Sequence, residues 1–200
     1  MTQLPELPLT LSRQEIRKMI RQRRRALTPE QQQEMGQQAA TRMMTYPPVV
    51  MAHTVAVFLA VDGERDTQPL IEQLWRAGKR VYLPVLHPFS AGNLLFLNYH
   101  PQSELVMNRL KIHEPKLDVR DVLPLSRLDV LITPLVAFDE YGQRLGMGGG
   151  FYDRTLQNWQ HYKTQPVGYA HDCQLVEKLP VEEWDIPLPA VVTPSKVWEW

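Results

Sequence analysis

The sequence predicts an α/β fold of three layers, in which a mostly parallel, twisted sheet is flanked by helices on both faces. Two observations carry this prediction: apolar segments rich in valine and leucine alternate with helical segments, and two capping boxes open a pair of N-terminal helices. With 200 residues, 44% of them hydrophobic, the chain can bury one core. We therefore expect a single domain over residues 1–200, in which residues 1–11 form a flexible N-terminal extension.

The two N-terminal helices are specified by their first residues. Ser12 and Glu15 form a capping box that predicts a helix reaching residue 27, and Thr28 with Gln31 forms a second one that is followed by a proline at the first helical position. The second helix should end at Pro47, because proline cannot continue a helix from within.

Strands and helices then alternate. In chain order we expect strand Thr54–Ala60, helix Thr67–Ala77, strands Arg80–Leu86, Leu94–Asn98 and Asp129–Val136, helix Tyr152–His161, and strands Pro166–Tyr169 and Ala190–Val192. Between residues 101 and 125 the pattern weakens into a loop-rich segment. Ligands of such sheets bind beyond the carboxyl ends of the strands, so the segments that follow strands are the first places to look for a site.

One such segment, Arg144–Asp153, holds four of the ten glycines of the chain together with an arginine, a tyrosine and a carboxylate. Glycines let backbone N–H groups surround an anion, an arginine can bind phosphate oxygens in a forked pair of bonds, and a carboxylate suits Mg²⁺. The segment therefore predicts a phosphate site. It is neither a Walker A loop nor a dinucleotide-binding G-x-G-x-x-G, since Phe151 stands where the last glycine would be.

The longer segment Phe138–Asp153 resembles the signature of the 5-formyltetrahydrofolate cyclo-ligases, also called methenyltetrahydrofolate synthetases. The basic N-terminal helix, the turn Phe58–Thr67 and the tail Val181–Asp185 follow in the order and spacing of that family. The chain is therefore identified as similar to bacterial members from about residue 12 onward.

The resemblance implies an ATP- and Mg²⁺-dependent cyclisation of 5-formyltetrahydrofolate (folinic acid) to 5,10-methenyltetrahydrofolate, with release of ADP and phosphate. Transfer of the γ-phosphoryl group to the formyl oxygen would give an iminium phosphate, whose carbon N10 of the folate then attacks. The protein would contribute mainly positioning and electrostatic stabilisation.

The resemblance also implies roles for individual residues. Arg144, Tyr152 and Asp153 would be catalytic, and Asp153 and Asp185 would hold the metal. For Asp185 taken alone, a surface or capping carboxylate is nearly as good an interpretation. The residues implied for ATP are Arg13, Arg17, Arg144, Leu145, Gly146, Met147, Gly148, Gly149, Gly150, Phe151, Tyr152 and Arg154. Those implied for the folate are Arg17, Leu59, Glu64, Met147, Phe151 and Tyr152. Without the resemblance, Glu64 would be an ordinary acid at a loop tip.

The chain departs from the family pattern at the loop itself. Many relatives carry a lysine where this chain has Gly149, so a cation expected near the transferred phosphate is missing. Either Arg154 or Arg17 replaces it, or turnover is slower. Ala60 and Leu135 also replace a serine and a glycine that are common in the family. The alternative function is a non-catalytic folate- or nucleotide-binding protein of the same fold.

Composition excludes several other classes of protein. The formal net charge is zero, so the charge of the whole chain does not favour a nucleic-acid partner. The arginine-rich helix is the one feature that suggests an RNA-binding module, and we expect no nucleic-acid partner. No apolar run approaches a membrane span, and the single cysteine is typical of a reducing compartment, so we expect a cytoplasmic protein with no membrane partner. We also expect a monomer. An unrelated sugar-phosphate enzyme would need an acid/base pair for which Glu64 and Asp153 are the main candidates.

A shorter product starting at Met19 would lose Arg13 and Arg17 and should bind ATP poorly.

Overall fold

The computed structural model describes residues 11–61 and 66–200 of the chain. The expected N-terminal extension, apart from its last residue, and the candidate folate ligand Glu64 lie outside these described residues.

Five helices and thirteen strands are present in the described ranges. The helices are α1 (Arg13–Arg25), α2 (Pro29–Thr45), α3 (Pro47–Met51), α4 (Gln68–Arg76) and α5 (Phe151–Leu156). The first strands are β1 (Thr54–Ala56), β2 (Arg80–Leu86), β3 (Leu94–Tyr99), β4 (Leu105–Met107), β5 (His113–Pro115) and β6 (Val122–Leu123). They are followed by β7 (Val130–Thr133), β8 (Ala137–Asp139), β9 (Arg144–Leu145), β10 (Gln165–Tyr169), β11 (Leu175–Val176), β12 (Ala190–Val192) and β13 (Val197–Glu199).

The main sheet has eight strands in the order β13-β12-β10-β7-β1-β2-β3-β6. The five strands from β12 to β2 are parallel to their neighbours, whereas β13, β3 and β6 pair antiparallel at the two margins. The expected mostly parallel sheet is confirmed, and its centre carries the buried apolar runs that a sheet covered on both faces requires.

Helices cover both faces of this sheet. On one face Met43 of α2 and Leu74 of α4 pack with Val55 and Val130, and on the other face Leu156 of α5 packs with Leu131. Side chains of successive strand residues point to opposite faces, which is why adjacent residues belong to the two different clusters. The three-layer arrangement predicted from the alternation of elements is therefore confirmed.

The two N-terminal helices have the expected capping boxes but do not pack side by side on the main sheet. Instead α1 buries Ile16 and Ile20 against Val136, Ala137 and Leu145, next to a second, three-stranded sheet of β11, β8 and β9. The small sheet was not predicted, because its strands are only two or three residues long.

Several predicted bounds were too long. The strand expected over Asp129–Val136 ends at Thr133, before a proline that has no N–H group for the ladder. The helix expected over Tyr152–His161 starts at Phe151 and ends at Leu156, and a separate 3₁₀ turn covers Trp159–His161. The loop-rich segment contains the β4–β5 hairpin, the strand β6 and two 3₁₀ turns.

No helix in residues 11–61 and 66–200 is both long enough and apolar enough to cross a membrane.

Candidate active site

A cavity of about 610 Å³ opens at the carboxyl ends of β1 and β2. One side of it is formed by the glycine loop, which we define as residues 146–150 between β9 and α5, together with Arg13 and Arg17 of α1. The other side is apolar and is built from strands and from the β4–β5 hairpin. The apolar lining residues are Phe58, Leu59, Val61, Leu83, Pro84, Leu86, Leu94, Leu110, Ile112, Pro134 and Leu135. The cavity thus joins a polar, glycine-rich side to an apolar one.

The glycine loop has a backbone that only some residues can adopt. Gly148 has φ +108° and Gly150 has φ +69°, conformations that L side chains rarely take. Gly150 also serves as the N-cap of α5. Since α5 is only six residues long, the loop's own N–H groups matter more for an anion than the dipole of the following helix.

Arg17 connects α1 to this loop. Its Nε donates a hydrogen bond of 2.8 Å to the carbonyl oxygen of Gly146. Burial and then the positive charges of Arg13 and Arg21 lower the pKa of Arg17. Three neighbouring positive charges that repel one another are the electrostatic condition under which an anion such as a triphosphate binds favourably.

Arg144 and Asp153 form an ion pair at the two ends of the loop. Arg144 Nη2 donates to Asp153 Oδ1, and the backbone N–H of Ile186 donates to the same oxygen at 3.1 Å. Asp153 Oδ2 accepts no hydrogen bond from the residues that the structure describes, so one oxygen of this carboxylate is available to a ligand.

Arg144 is almost completely buried, with a side chain only 2% exposed. Burial lowers its pKa, while the negative charges of Asp153 and Asp185 act in the opposite direction. Its Nε is buried and has no hydrogen-bond partner among the described residues. A buried N–H without a partner is unfavourable and is a typical feature of a site that a ligand completes.

Arg13 and Asp185 form the second ion pair. Arg13 Nη1 and Nη2 donate to the two carboxylate oxygens, with 3.0 Å between Nη2 and Oδ1, and the N–H of Glu182 donates to Oδ2 at 2.8 Å. Burial alone would raise the pKa of Asp185, but the hydrogen bonds from Arg13 and Glu182 and the charges of Arg13 and Arg144 lower it overall. The hydrogen bond to Asp185 raises the pKa of Arg13, to which the charge of Asp153 also contributes. The two pairs therefore form one cluster of four charges.

The two carboxylates of this cluster suit Mg²⁺. Within the part of the chain that the structure describes, no group of three or more histidine, cysteine, aspartate or glutamate side chains could hold a metal ion. Mg²⁺, however, is usually held by one or two carboxylates together with phosphate oxygens and water, and Asp153 has an oxygen to offer. The donor set fits an ion that arrives with a nucleotide.

Gly149, where many relatives carry a lysine, and Arg154 contact each other at the glycine loop. A Cβ at Gly149 would lie 2.8 Å from the ring of Phe151, so no side chain fits there while the ring stays in place. Arg154 lies on the outer side of the loop, where its Nη2 donates to the carbonyl of Gly149 and its Nε donates to that of Gly92 at 2.7 Å. Its guanidinium also lies over the Phe151 ring, 5.5 Å from the centroid, and the residue does not line the cavity.

The other predicted residues fall in two groups. Leu59, Met147, Phe151 and Tyr152 line the cavity, together with Gly146, Gly148, Gly149, Gly150 and Asp153. Leu145 does not: its side chain is buried in the core beneath α1. Its only route to a ligand is therefore through its backbone.

Sequence reasoning missed part of the cavity wall. Asn108, Leu110, Ile112 and Glu114 of the β4–β5 hairpin line it, and so does Trp184, whose side chain is exposed although the residue is large and apolar. The hairpin gave little signal because its strands have three residues each within charged sequence. Trp184 gave none, since an isolated tryptophan is as typical of a core as of a site.

Comparison with known proteins places this chain in a family. The family model described as the 5-formyltetrahydrofolate cyclo-ligase family matches residues 10–194. The 5-formyltetrahydrofolate cyclo-ligase of Escherichia coli K12 is 98% identical over 182 residues, which is 91% of this chain and 100% of that protein. The enzyme of the same name from Haemophilus influenzae is 52% identical over 179 residues, covering 90% of this chain and 96% of that one.

Two solved structures have folds similar to that of this chain. The Aquifex aeolicus 5,10-methenyltetrahydrofolate synthetase superposes with a TM-score of 0.80 at 28% identity, over 94% of this chain and 93% of that one. The Mycoplasma pneumoniae synthetase, at 21% identity and a TM-score of 0.72 over 92% of this chain and 99% of that chain, shares the fold.

Proposed function

The chain belongs to the 5-formyltetrahydrofolate cyclo-ligase family, and we propose that it converts 5-formyltetrahydrofolate and ATP to 5,10-methenyltetrahydrofolate, ADP and phosphate. The observation that carries this proposal is a cavity in which the glycine loop and the charged side chains of Arg13, Arg17, Arg144 and Asp153 face an apolar wall. A triphosphate suits the first side, and the flat, largely apolar pterin and aminobenzoyl groups suit the second.

The first step needs the formyl oxygen of the folate in line with the γ-phosphorus of ATP. That oxygen attacks phosphorus, ADP leaves, and the formyl carbon becomes part of an iminium phosphate. In our proposal the N–H groups of the glycine loop and the cations of Arg13, Arg17 and Arg144 hold the phosphates, and Tyr152 lies beside the reacting formyl group. Their contribution is positioning and the screening of negative charge, which is what phosphoryl transfer demands of a protein.

Asp153 and Asp185 would hold Mg²⁺, which supplies charge neutralisation to the phosphate oxygens when it is bound. Asp153 is the stronger candidate of the two, because one of its oxygens accepts no hydrogen bond from residues 11–61 and 66–200, whereas both oxygens of Asp185 do. Arg144 keeps Asp153 oriented towards the loop through their ion pair.

The second step closes the ring. N10 of the folate attacks the iminium carbon, the C–O bond breaks, phosphate leaves with the bonding electrons, and N10 loses its proton to give the methenyl cation. The leaving phosphate remains next to Arg144 and the glycine loop, so the same groups stabilise it. The apolar wall, with Leu59 and Phe151, limits the access of water to the reactive carbon.

Arg154 replaces the missing lysine only indirectly, because it contacts the glycine loop without lining the cavity. We propose that it fixes the shape of the glycine loop from outside, through the carbonyls of Gly149 and Gly92, while Arg17 supplies the inner positive charge. Gly149 also motivates the alternative function, a non-catalytic protein that binds the folate or the nucleotide.

The remaining finer proposals concern the setting of the reaction. We propose a cytoplasmic monomer without a nucleic-acid partner. The basic helix supports the last point, since Arg24 is buried and Arg13 and Arg17 engage Asp185 and Gly146 instead of forming a solvent-exposed stripe.

The test is the growth of methenyl absorbance when the purified protein is mixed with 5-formyltetrahydrofolate, with and without Mg·ATP. We expect growth only with Mg·ATP, a loss of at least about a hundredfold in Asp153→Ala and Asp153→Asn, and no loss in Glu34→Ala, which removes an exposed carboxylate on α2. Binding of the folate by calorimetry without any turnover would instead establish the non-catalytic alternative.

A further inference from the structure

Trp184 is a large aromatic side chain that the protein itself leaves uncovered. It lines the cavity of about 610 Å³ and is 63% exposed. The phenylalanine and tyrosine side chains that line the same cavity, Phe58, Phe151 and Tyr152, are buried or half-buried. An exposed ring on a cavity wall is expected where a ligand, and not the protein, supplies the covering surface.

The other four tryptophans serve the packing of the fold. Trp75 and Trp159 pack against the core clusters on the two faces of the main sheet. Trp198 and Trp200 lie edge-on against a buried phenylalanine ring, with 5.8 Å and 6.5 Å between ring centroids. Trp184 belongs to none of the three hydrophobic clusters in the described part of the chain. Packing therefore does not account for a tryptophan at this position.

The turn that carries Trp184, residues 182–185, is fixed by polar contacts. A backbone hydrogen bond of 3.1 Å joins the N–H of its last residue to the carbonyl of its first. Arg13 holds the turn from one side through the carboxylate of Asp185. On the other side, the N–H of the residue that follows the turn donates to Asp153 at 3.1 Å. The indole is thus presented by a backbone that is held without contacts from the ring itself.

These contacts place Trp184 beside the cations of the cavity. Its neighbour Asp185 pairs with Arg13, and Arg13 and Arg17 line the cavity next to the glycine loop. Consecutive Cα atoms are only about 3.8 Å apart, so the indole starts close to the groups proposed for the triphosphate. The apolar wall proposed for the folate is built instead from strands and from the β4–β5 hairpin. A nucleoside that extends from the glycine loop and avoids the folate therefore passes Trp184.

We infer that Trp184 stacks on the purine base of ATP, and that this contact makes the enzyme select purine over pyrimidine nucleoside triphosphates. This inference rests on the proposed function, since it needs a nucleoside triphosphate on the glycine loop. Stacking uses the flat face that every base has, and the two fused rings of a purine cover more of an indole than the single ring of a pyrimidine. Trp184 serves the binding of the base and does not touch the reacting atoms.

The test measures calorimetric binding of ATP, UTP and tripolyphosphate, each with Mg²⁺, and of 5-formyltetrahydrofolate. Tripolyphosphate has the charge of the nucleotides but no base. The variants are Trp184→Ala, which removes the ring, and Trp184→Phe, which keeps a smaller one. The control is Tyr162→Ala, which removes a 41% exposed ring just before the amino end of β10, at the edge of the sheet opposite the cavity. Thermal unfolding of all four proteins checks that the fold is intact.

We expect Trp184→Ala to weaken ATP binding about tenfold and UTP binding about threefold or less, and Trp184→Phe to weaken ATP binding about twofold. Binding of tripolyphosphate and of the folate should not change. In the methenyl assay the loss should appear in the KM for ATP and not in kcat. ATP, but not tripolyphosphate, should also quench the tryptophan fluorescence of the unaltered protein, and Trp184→Phe should lack this quenching.

The inference is wrong if Trp184→Ala weakens ATP and tripolyphosphate equally, because the effect would then concern the phosphates. It is also wrong if the folate loses affinity instead, because the ring would then face the pterin, or if Tyr162→Ala matches Trp184→Ala. Failure of the proposed function is distinguishable: a protein that binds ATP through Trp184 but forms no methenyl product would refute only the catalytic proposal. Unchanged ATP binding in Trp184→Ala with full turnover would refute only the present inference.

Discussion

Arg13 and Asp185, 172 positions apart in the chain, form a two-pronged salt bridge that ties the first turn of α1 to the tail beside the cavity. The Asp185 side chain is only 3% exposed. A forked arginine–carboxylate pair in a shielded place is stronger than a surface ion pair, and the removal of either partner leaves a poorly solvated charge. The first turn of α1 is therefore part of the site as well as of the fold.

A chain that starts at Met19 should bind ATP poorly. It would lose Arg13, Arg17 and the capping Ser12, together with Ile16, which is 1% exposed. We expect the KM for ATP to rise at least about tenfold, since two cations near the phosphates are lost, and the free energy of unfolding to fall by about 3 kcal/mol from the lost isoleucine and cap.

The measurements are ATP saturation curves and urea unfolding of that truncated chain. A chain lacking only residues 1–10, which precede α1, is the control and should behave like the full chain. An unchanged KM for ATP in the chain that starts at Met19 would show that Arg13 and Arg17 do not serve the nucleotide.

Asp185 can be a metal ligand, or it can act only by holding Arg13. Asp185→Asn removes the charge of the carboxylate, whereas Arg13→Gln breaks the salt bridge and keeps the carboxylate. If Asp185 is a ligand, we expect Asp185→Asn to raise the Mg²⁺ concentration for half-maximal rate about tenfold, and Arg13→Gln to raise the KM for ATP with little change in that Mg²⁺ concentration. Equal Mg²⁺ dependence in the two variants would mean that the salt bridge is the only role of Asp185.

The absence of a side chain at Gly149 should matter more than at Gly146. A Cβ at Gly149 would lie 2.8 Å from the ring of Phe151, while one at Gly146 would lie 3.3 Å from Nη1 of Arg144, a less severe approach. We expect Gly149→Ala to lower kcat/KM for ATP about tenfold and to destabilise the fold by about 1 kcal/mol, because Phe151 must move, and Gly146→Ala to do markedly less.

A double-mutant cycle with Phe151→Ala tests the cause of this effect. If the clash explains it, the Gly149→Ala penalty on the free energy of unfolding should largely disappear when the ring is absent. A penalty that persists without the ring would instead indicate that Gly149 is needed for its own backbone.

The sequence predicted the elements best where apolar pattern and turn residues agree. Arg80–Leu86 and Ala190–Val192 were predicted with the observed bounds, since each is an apolar run between clear breaks, and Gly78 precedes the first with φ +74°. The β4–β5 hairpin was missed because its shape depends on Asn108 and Glu114, side chains whose partners cannot be read from a local pattern.

The residues of the candidate site were predictable as a set but not as a network. The glycine loop and its neighbouring charges stand out in the sequence, and the structure places most of them around one cavity. The pairing of Arg13 with Asp185 could not be foreseen, because it is decided by the way α1 docks on the small sheet. For the same reason Arg154, though adjacent to Asp153, lies outside the cavity that Asp153 lines.

Away from the site, Asp129 should control the stability of the sheet in acid. Its Oδ2 accepts from the N–H groups of His53 (2.8 Å) and Thr54 (3.0 Å) at the start of β1, and its Oδ1 accepts from Lys163 Nζ at 2.6 Å. Burial alone would raise the pKa of Asp129, but these hydrogen bonds and the charge of Lys163 lower it to about 2 from an ordinary value of 3.8. Because the folded-state pKa is the lower one, the stabilisation is fully present above about pH 4 and is lost as the pH falls towards 2.

The shift corresponds to about 2 kcal/mol at neutral pH, of which about half is gone by pH 3. We expect Asp129→Asn to lower the free energy of unfolding by about that amount at pH 7 and to unfold with a weaker dependence on pH between 4.5 and 3. Urea unfolding at the two ends of this range measures both quantities, with Glu34→Gln on the surface of α2 as the control. If Asp129→Asn and the unaltered protein lose the same stability between pH 4.5 and 3, the carboxylate does not act through its charge, and the bonds to β1 would then contribute only as neutral hydrogen bonds.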